Sequence, residues 1–132
     1  MKIQISTDYA IRILQYLHLN KEQTHTAMSV AQAVGVTYPF FIKIANLLKK
    51  NGLLVSIQGR NGGYGLGRSA DQISLYDVFV CVEGEMQINR CLSGEPCTKG
   101  THKDCNLHRV FYDLQSKVIS ELSKQTIADV AG

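Results

Sequence analysis

The sequence predicts a mainly α-helical fold with one small β-hairpin, and three observations carry that expectation. A short apolar run opening at Ser29 stops at Gly35, and a longer one begins after Thr37 and continues to Asn51. A β-prone stretch from Leu53 to Ile57 is then turned back by a Gly-rich segment containing Asn61-Gly62. Farther on, Leu107, Val110, Phe111, Leu114, Val118 and Leu122 recur every three or four positions, the period of a long amphipathic helix.

Taken in order, residues 7–19 form a first helix, with Ser6 or Thr7 as its N-cap and Tyr9, Ala10, Ile13, Leu14 and Leu17 on its apolar face. The polar stretch 20–27 reads as a loop in which His25 is solvated. Ser29 is placed as the N-cap of a very short helix, and Gly35 ends it because glycine turns the backbone most easily. Thr37 caps the next helix, and Pro39 sits in its first turn, where a missing N–H costs nothing.

A short helix, a Gly-containing turn and a longer helix make a helix-turn-helix, whose second helix lies in the DNA major groove. Phe41, Ile44, Ala45 and Leu48 form its inner face. Thr37, Tyr38, Lys43 and Asn46 then face outward, able to bond phosphates or base edges, and Ser29 joins them as a candidate contact. The hairpin that follows is a wing, with Arg60 and Asn61 at its tip among glycines that permit close approach to a phosphate chain. A nucleotide-binding loop is disfavoured there, because no Lys-Ser/Thr follows the glycines and no helix opens after them.

After the wing, Ser74 and Asp77 form a capping-box pattern ahead of a short apolar helix ending at Glu83. The loop from about Gln87 to Asp104 precedes the long helix over residues 106–123, whose seam suits pairing with a second copy. Thr126 to Ala131 adds a short capped turn. The expected organisation is a single unit over residues 1–132, with a DNA-binding winged helix at 1–68 and a ligand loop plus dimerisation helix at 69–132.

A chain of 132 residues with 45% apolar content suffices for one core. It holds no run of about 18 apolar residues, and Lys2 is followed by alternation instead of a signal-peptide hydrophobic region, so a cytoplasmic protein with no membrane segment is expected. Residues 1–68 carry eight Lys/Arg against two Asp/Glu, and residues 69–132 six against nine. The basic half points to a polyanion partner.

Cys91, Cys97 and Cys105 are gathered into CLSGEPCTKGTHKDCNLH, with His108 one helical turn after Cys105. Cys81, inside Val78-Phe79-Val80-Cys81-Val82, reads instead as a small buried hydrophobe. Four chemistries compete for the loop. A nucleophilic cysteine needs a base held in a defined pocket, which a Gly-, Ser- and Lys-bearing loop supplies poorly, so no enzyme is expected. Disulfides do not suit a reducing compartment. Zinc knuckles space their ligands two to four residues apart, whereas the gaps here are five and seven, and zinc stays as the alternative. An iron-sulfur cluster held by three thiolates and a fourth ligand of another type suits the wider spacing.

The sequence resembles, over nearly its whole length, the winged-helix iron-sulfur transcriptional regulators that include IscR, NsrR and RirA. The residues that carry the resemblance are Ser6-Thr7-Asp8-Tyr9-Ala10, Lys50-Asn51-Gly52-Leu53, Gly59-Arg60-Asn61-Gly62-Gly63-Tyr64 and the three-cysteine loop. The resemblance implies a cytoplasmic homodimeric repressor or dual regulator of a palindromic operator in double-stranded DNA. Cys91, Cys97 and Cys105 match its cysteine ligands to a 2Fe-2S or 4Fe-4S cluster. The fourth ligand matches His108 in the IscR type and Asp8 from the partner chain in the NsrR type, with His102 a third option. Gln58 stands where these relatives carry an arginine, which moves the implied wing contact to Arg60. The implied signals are nitric oxide, redox change or iron and cluster supply. The rival readings are a zinc-stabilised DNA-binding regulator and a small iron-sulfur redox protein without DNA binding.

Overall fold

The computed structural model describes residues 2–60, 62–95, 97 and 105–132. Helix α1 spans Ile5–Leu19 and buries Ala10, Ile13, Leu14 and Leu17, the stripe its spacing predicts. It starts before the expected caps. Gln4 is the N-cap and has no side-chain cap bond of its own. Glu83 supplies one from across the fold: its carboxylate accepts the Gln4 backbone N–H at 3.1 Å and the Thr7 hydroxyl. Thr7 thereby becomes a buried residue inside the first turn.

Helices α2 (Ala27–Val34) and α3 (Tyr38–Lys50) form the helix-turn-helix, bent by 106° at the turn, within the ~90–120° that such pairs adopt. The cap of α2 is Thr26 and not Ser29: Thr26 Oγ1 accepts the Ser29 backbone N–H at 3.1 Å. Ala27 and Met28 are good helix formers and Thr26 is also a favoured cap, so the helix gains residues at its start. Gly35 adopts φ 86°, in the left-handed region, and ends α2 as the turn requires.

Strand β1 (Leu54–Ile57) pairs antiparallel with β2 (Gly63–Leu66), with Leu54 opposite Leu66 and Ile57 opposite Gly63. This register leaves residues 58–62 as the connection. Gly59 holds positive φ at 109°, and its carbonyl accepts the Gly62 N–H at 3.0 Å. Asn61 lies outside the described residues.

A 3-10 turn at Ala70–Gln72 leads to α4 (Leu75–Glu83), which opens on the reciprocal Ser74–Asp77 cap the sequence predicts. Helix α5 spans Asn106–Lys124, and α6 (Ile127–Val130) opens on a second capping box, Thr126 with Asp129. Leu75 N–H bonds Gln125 O at 2.8 Å and Ile127 N–H bonds Ile73 O at 2.9 Å, which stitches the end of α5 to the residues before α4. The core joins buried residues of α1, α2, α3, β1, α4 and α6, with Phe41, Ile44 and Ile127 fully enclosed. At about 1.5–3 kcal/mol for each large side chain, that burial is what holds the helices in place. Helix α5 packs on α4 but adds no buried residue of its own. Among the described residues no single helix is long and apolar enough to cross a membrane.

Candidate functional site

Helix α3 is built from its cap outward. Thr37 Oγ1 accepts the Phe40 N–H at 3.3 Å, and Pro39 occupies the first turn. Phe41, Ile44, Ala45 and Leu48 are buried, the face expected from spacing. At 100° per residue the opposite side of α3 carries Lys43, Asn46 and Lys50, and all three are exposed. Lys50 belongs to this stripe by the same helical arithmetic and is absent from the sequence-based set. Thr37 and Tyr38 are exposed at the head of the helix, whereas Ser29 is half-buried and its hydroxyl donates to Thr26 O at 2.9 Å.

The wing tip carries Arg60, exposed, next to the left-handed Gly59. Arg68 at the base of the wing is drawn aside toward Asp77, 3.8 Å away. Between Glu22 and Asp71 the chain has five Lys/Arg and no Asp or Glu. That acid-free segment spans the helix-turn-helix and the wing, a sharper signal than the balance of the two halves. A segment of this composition favours a phosphate backbone as partner.

The thiols fall into two settings. Cys81 lies half-buried in α4, packed against the core as expected; its thiol donates to Leu47 O at 3.1 Å and accepts from Asn51 Nδ2 at 3.2 Å. Burial pushes its pKa up, opposed by the Asn51 hydrogen bond, so it stays a protonated cap on the end of α3. The other three bracket the loop. Cys91 sits in a 3-10 turn, Arg90–Leu92, and its sulfur accepts from Asn89 Nδ2 at 3.1 Å. Cys105 is the N-cap of α5 and its sulfur accepts the His108 backbone N–H at 3.4 Å. Cys97 is half-buried. His102 lies outside the described residues.

The donor chemistry fits a soft metal centre. Cys105 stands at a helix N-terminus, and N–H to sulfur bonds of the kind made to Cys91 and Cys105 tune metal-bound sulfur. The described residues do not, however, assemble a shell: no three His, Cys, Asp or Glu side chains among them stand close enough to hold a metal ion. Asp8 is exposed on α1, with both carboxylate oxygens 3.2 Å from Arg12 Nε, and His108 is half-buried in the first turn of α5.

Comparison with known proteins agrees with this architecture. The family model described as Rrf2, iron-dependent transcriptional regulator, matches residues 3–132. The HTH-type transcriptional regulator NsrR of Shouchella clausii is 28% identical over 131 residues, covering 98% of this chain and 88% of that one. The solved structure of CymR, the global cysteine regulator of B. subtilis, superposes with a TM-score of 0.80 at 23% identity, covering 99% of this chain and 96% of that one. That of T. potens IscR gives 0.77 at 22% identity, covering 98% and 85%. At such identities the structural likeness establishes the winged-helix fold, and the family model, matched along almost the whole chain, establishes more: this protein belongs to the Rrf2 family of DNA-binding transcriptional regulators.

Proposed function

We propose that this regulator is a cytoplasmic homodimeric repressor whose binding to a palindromic operator is set by an iron-sulfur cluster on Cys91, Cys97 and Cys105. The observation that carries the reading is the pairing of an acid-free helix-turn-helix and wing segment, in which Lys43, Asn46 and Arg60 are exposed, with a three-thiol loop at the head of α5. The iron-dependent description of the family supports the same choice of metal over zinc. Residues 1–68 read DNA through Thr37, Tyr38, Lys43 and Asn46, with Ser29 at the start of α2 and Arg60 and Asn61 in the wing. Residues 69–132 sense and dimerise, with Asp8 of the partner or His108 as the fourth ligand.

When bound, a cluster of this kind supplies a redox-active centre open to attack at its weakly held fourth position. The chain's own residues give that centre a route to the DNA. Tyr76 Oη and Gln115 Oε1 accept the backbone N–H groups of Met86 and Ile88, at 3.3 and 2.9 Å, and fix the approach to the loop on α4 and α5. Five residues after Tyr76 on α4, Cys81 holds the C-terminal part of α3. A coupling of about 1–3 kcal/mol between the two sites is an ordinary size for such a device.

Two measurements test the reading. Duplex DNA titrated across salt should show binding that falls steeply, by close to 0.9 in the log–log slope per phosphate contacted. Negligible binding at all salt concentrations would refute a DNA reader. Anaerobic reconstitution should give a visible iron-sulfur absorbance in the wild type that Cys91→Ala, Cys97→Ala and Cys105→Ala each abolish. A colourless wild type that retains stoichiometric zinc would replace the cluster with a structural metal.

A further inference from the structure

The loop between α1 and α2 holds a histidine that the function above does not use. His25 is only 4% exposed, against the solvated position its polar neighbours suggest. Its Nε2 lies 2.8 Å from the Asn20 carbonyl. A carbonyl only accepts, so this nitrogen carries a proton and donates it. The ring stands edge-on to Tyr16 with centroids 5.1 Å apart. Asn20 is itself fixed, since its side chain and backbone N–H both bond Tyr16 O, at 2.9 and 3.1 Å, closing the end of α1.

From this anchored side chain the backbone reaches the wing. The His25 carbonyl accepts the Tyr64 N–H at 2.7 Å, a single bridge to β2. Strand β2 passes so close that a Cβ on Gly63 would lie 2.3 Å from the same carbonyl. Tyr64 stands edge-on to Phe41 of the reading helix, centroids 5.2 Å apart. The next residue, Thr26, caps α2. One loop position therefore touches the end of α1, the start of α2 and the inner strand of the wing. A two-stranded hairpin alone is marginal in water, so the wing's direction depends on what ties it to the body. A buried imidazole is also costly unless its N–H is bonded, which favours one seat for the ring.

We infer that His25 is the positioning residue of the wing: its side chain pins the α1–α2 loop to the end of α1, and the pinned loop sets, through Tyr64, where Arg60 stands relative to α3. The consequence for DNA rests on reading Arg60 as a DNA contact; the structural role of His25 does not.

The test uses the full chain with His25→Leu, which keeps apolar bulk and loses the donor, and His25→Gln, which restores an N–H at the same reach. In hydrogen exchange the leucine variant should speed the Tyr64 amide by about tenfold or more while α3 amides stay protected, and the glutamine variant should recover most of that protection. An unchanged Tyr64 amide, or loss of protection throughout α3, would overturn the assignment. On mixed-sequence duplex DNA, His25→Leu and Arg60→Ala should each weaken binding several-fold, and the double variant should bind no worse than the weaker single one. Losses that multiply would mean that His25 does not act through the wing tip. If Arg60→Ala alone leaves affinity unchanged, the wing-contact reading fails, and the exchange result still decides the role of His25. Should the leucine variant not fold, the wild type decides: its His25 Nε2 proton should exchange slowly with solvent, and fast exchange would refute the anchor.

Discussion

A methyl group at residue 63 has nowhere to go, because the His25 carbonyl fills its place, whereas the same group at residue 65 on the same strand meets nothing within 4 Å. Gly63→Ala should therefore lower stability by ~1–3 kcal/mol, the usual size of an overpacking strain, while Gly65→Ala should change it by less than about 1 kcal/mol. Urea midpoints compare the two, and equal midpoints would mean that the wing does not pass His25 so closely. The contrast also marks what could be read residue by residue from the chain. The Thr37, Ser74 and Thr126 caps bond an N–H three positions on, so a local pattern suffices to find them. The Glu83 cap of α1 acts across 79 positions and the burial of His25 depends on Tyr64. Neither leaves a local signature. Ser29 was open to misassignment because Thr26 has the same chemistry one turn earlier.

At the scale of elements, α5 divides its apolar stripe. At 100° per residue Phe111, Val118 and Leu122 lie along one edge and are half-buried, while Leu107, Val110 and Leu114 lie along the other and are 54, 59 and 45% exposed. An exposed apolar edge of this length on a helix already seated on its own molecule is the surface a second copy would cover. Leu114→Glu should then convert the proposed dimer to monomer in sedimentation while leaving the thermal midpoint of the folded chain nearly unchanged, since the side chain meets solvent within one protomer. It should also weaken operator binding, because one head reaches only one half-site. A variant that stays dimeric would move the interface off α5. Periodicity made this helix and α3 legible almost to the residue, because each has one continuous buried or seam face. The hairpin was less so: both Asn61-Gly62 and Gly59 can turn a chain, and the pairing that leaves residues 58–62 as the connection depends on partners on the opposite strand.

For the whole molecule the open choice is which chain completes the cysteine site. The spacing of Cys91, Cys97 and Cys105 nominates three donors, but a ligand supplied across a dimer would leave no spacing to read. Asp8 pairs with Arg12 four residues on at 3.2 Å, and the two side chains are 52 and 59% exposed. Such a surface pair is worth only ~0.3–0.5 kcal/mol, so surrendering the carboxylate to a partner costs little. His108, by contrast, follows Cys105 on the same helix and would serve its own chain. Mixed dimers separate the two. If Asp8 acts across the interface, neither Asp8→Ala nor Cys105→Ala homodimers hold a complete site, but a heterodimer of the two pairs intact cysteines on one chain with an intact Asp8 on the other. Half of the wild-type cluster absorbance should return. If His108 is the ligand, Asp8→Ala alone should keep its absorbance, and a heterodimer of His108→Ala with Cys105→Ala should recover none, because the missing histidine and the missing cysteine leave both sites broken. Loss of absorbance in the Asp8→Ala homodimer with recovery in its mixed dimer with Cys105→Ala would tie each sensing site to both subunits, so that loss of the dimer and loss of the cluster become one event.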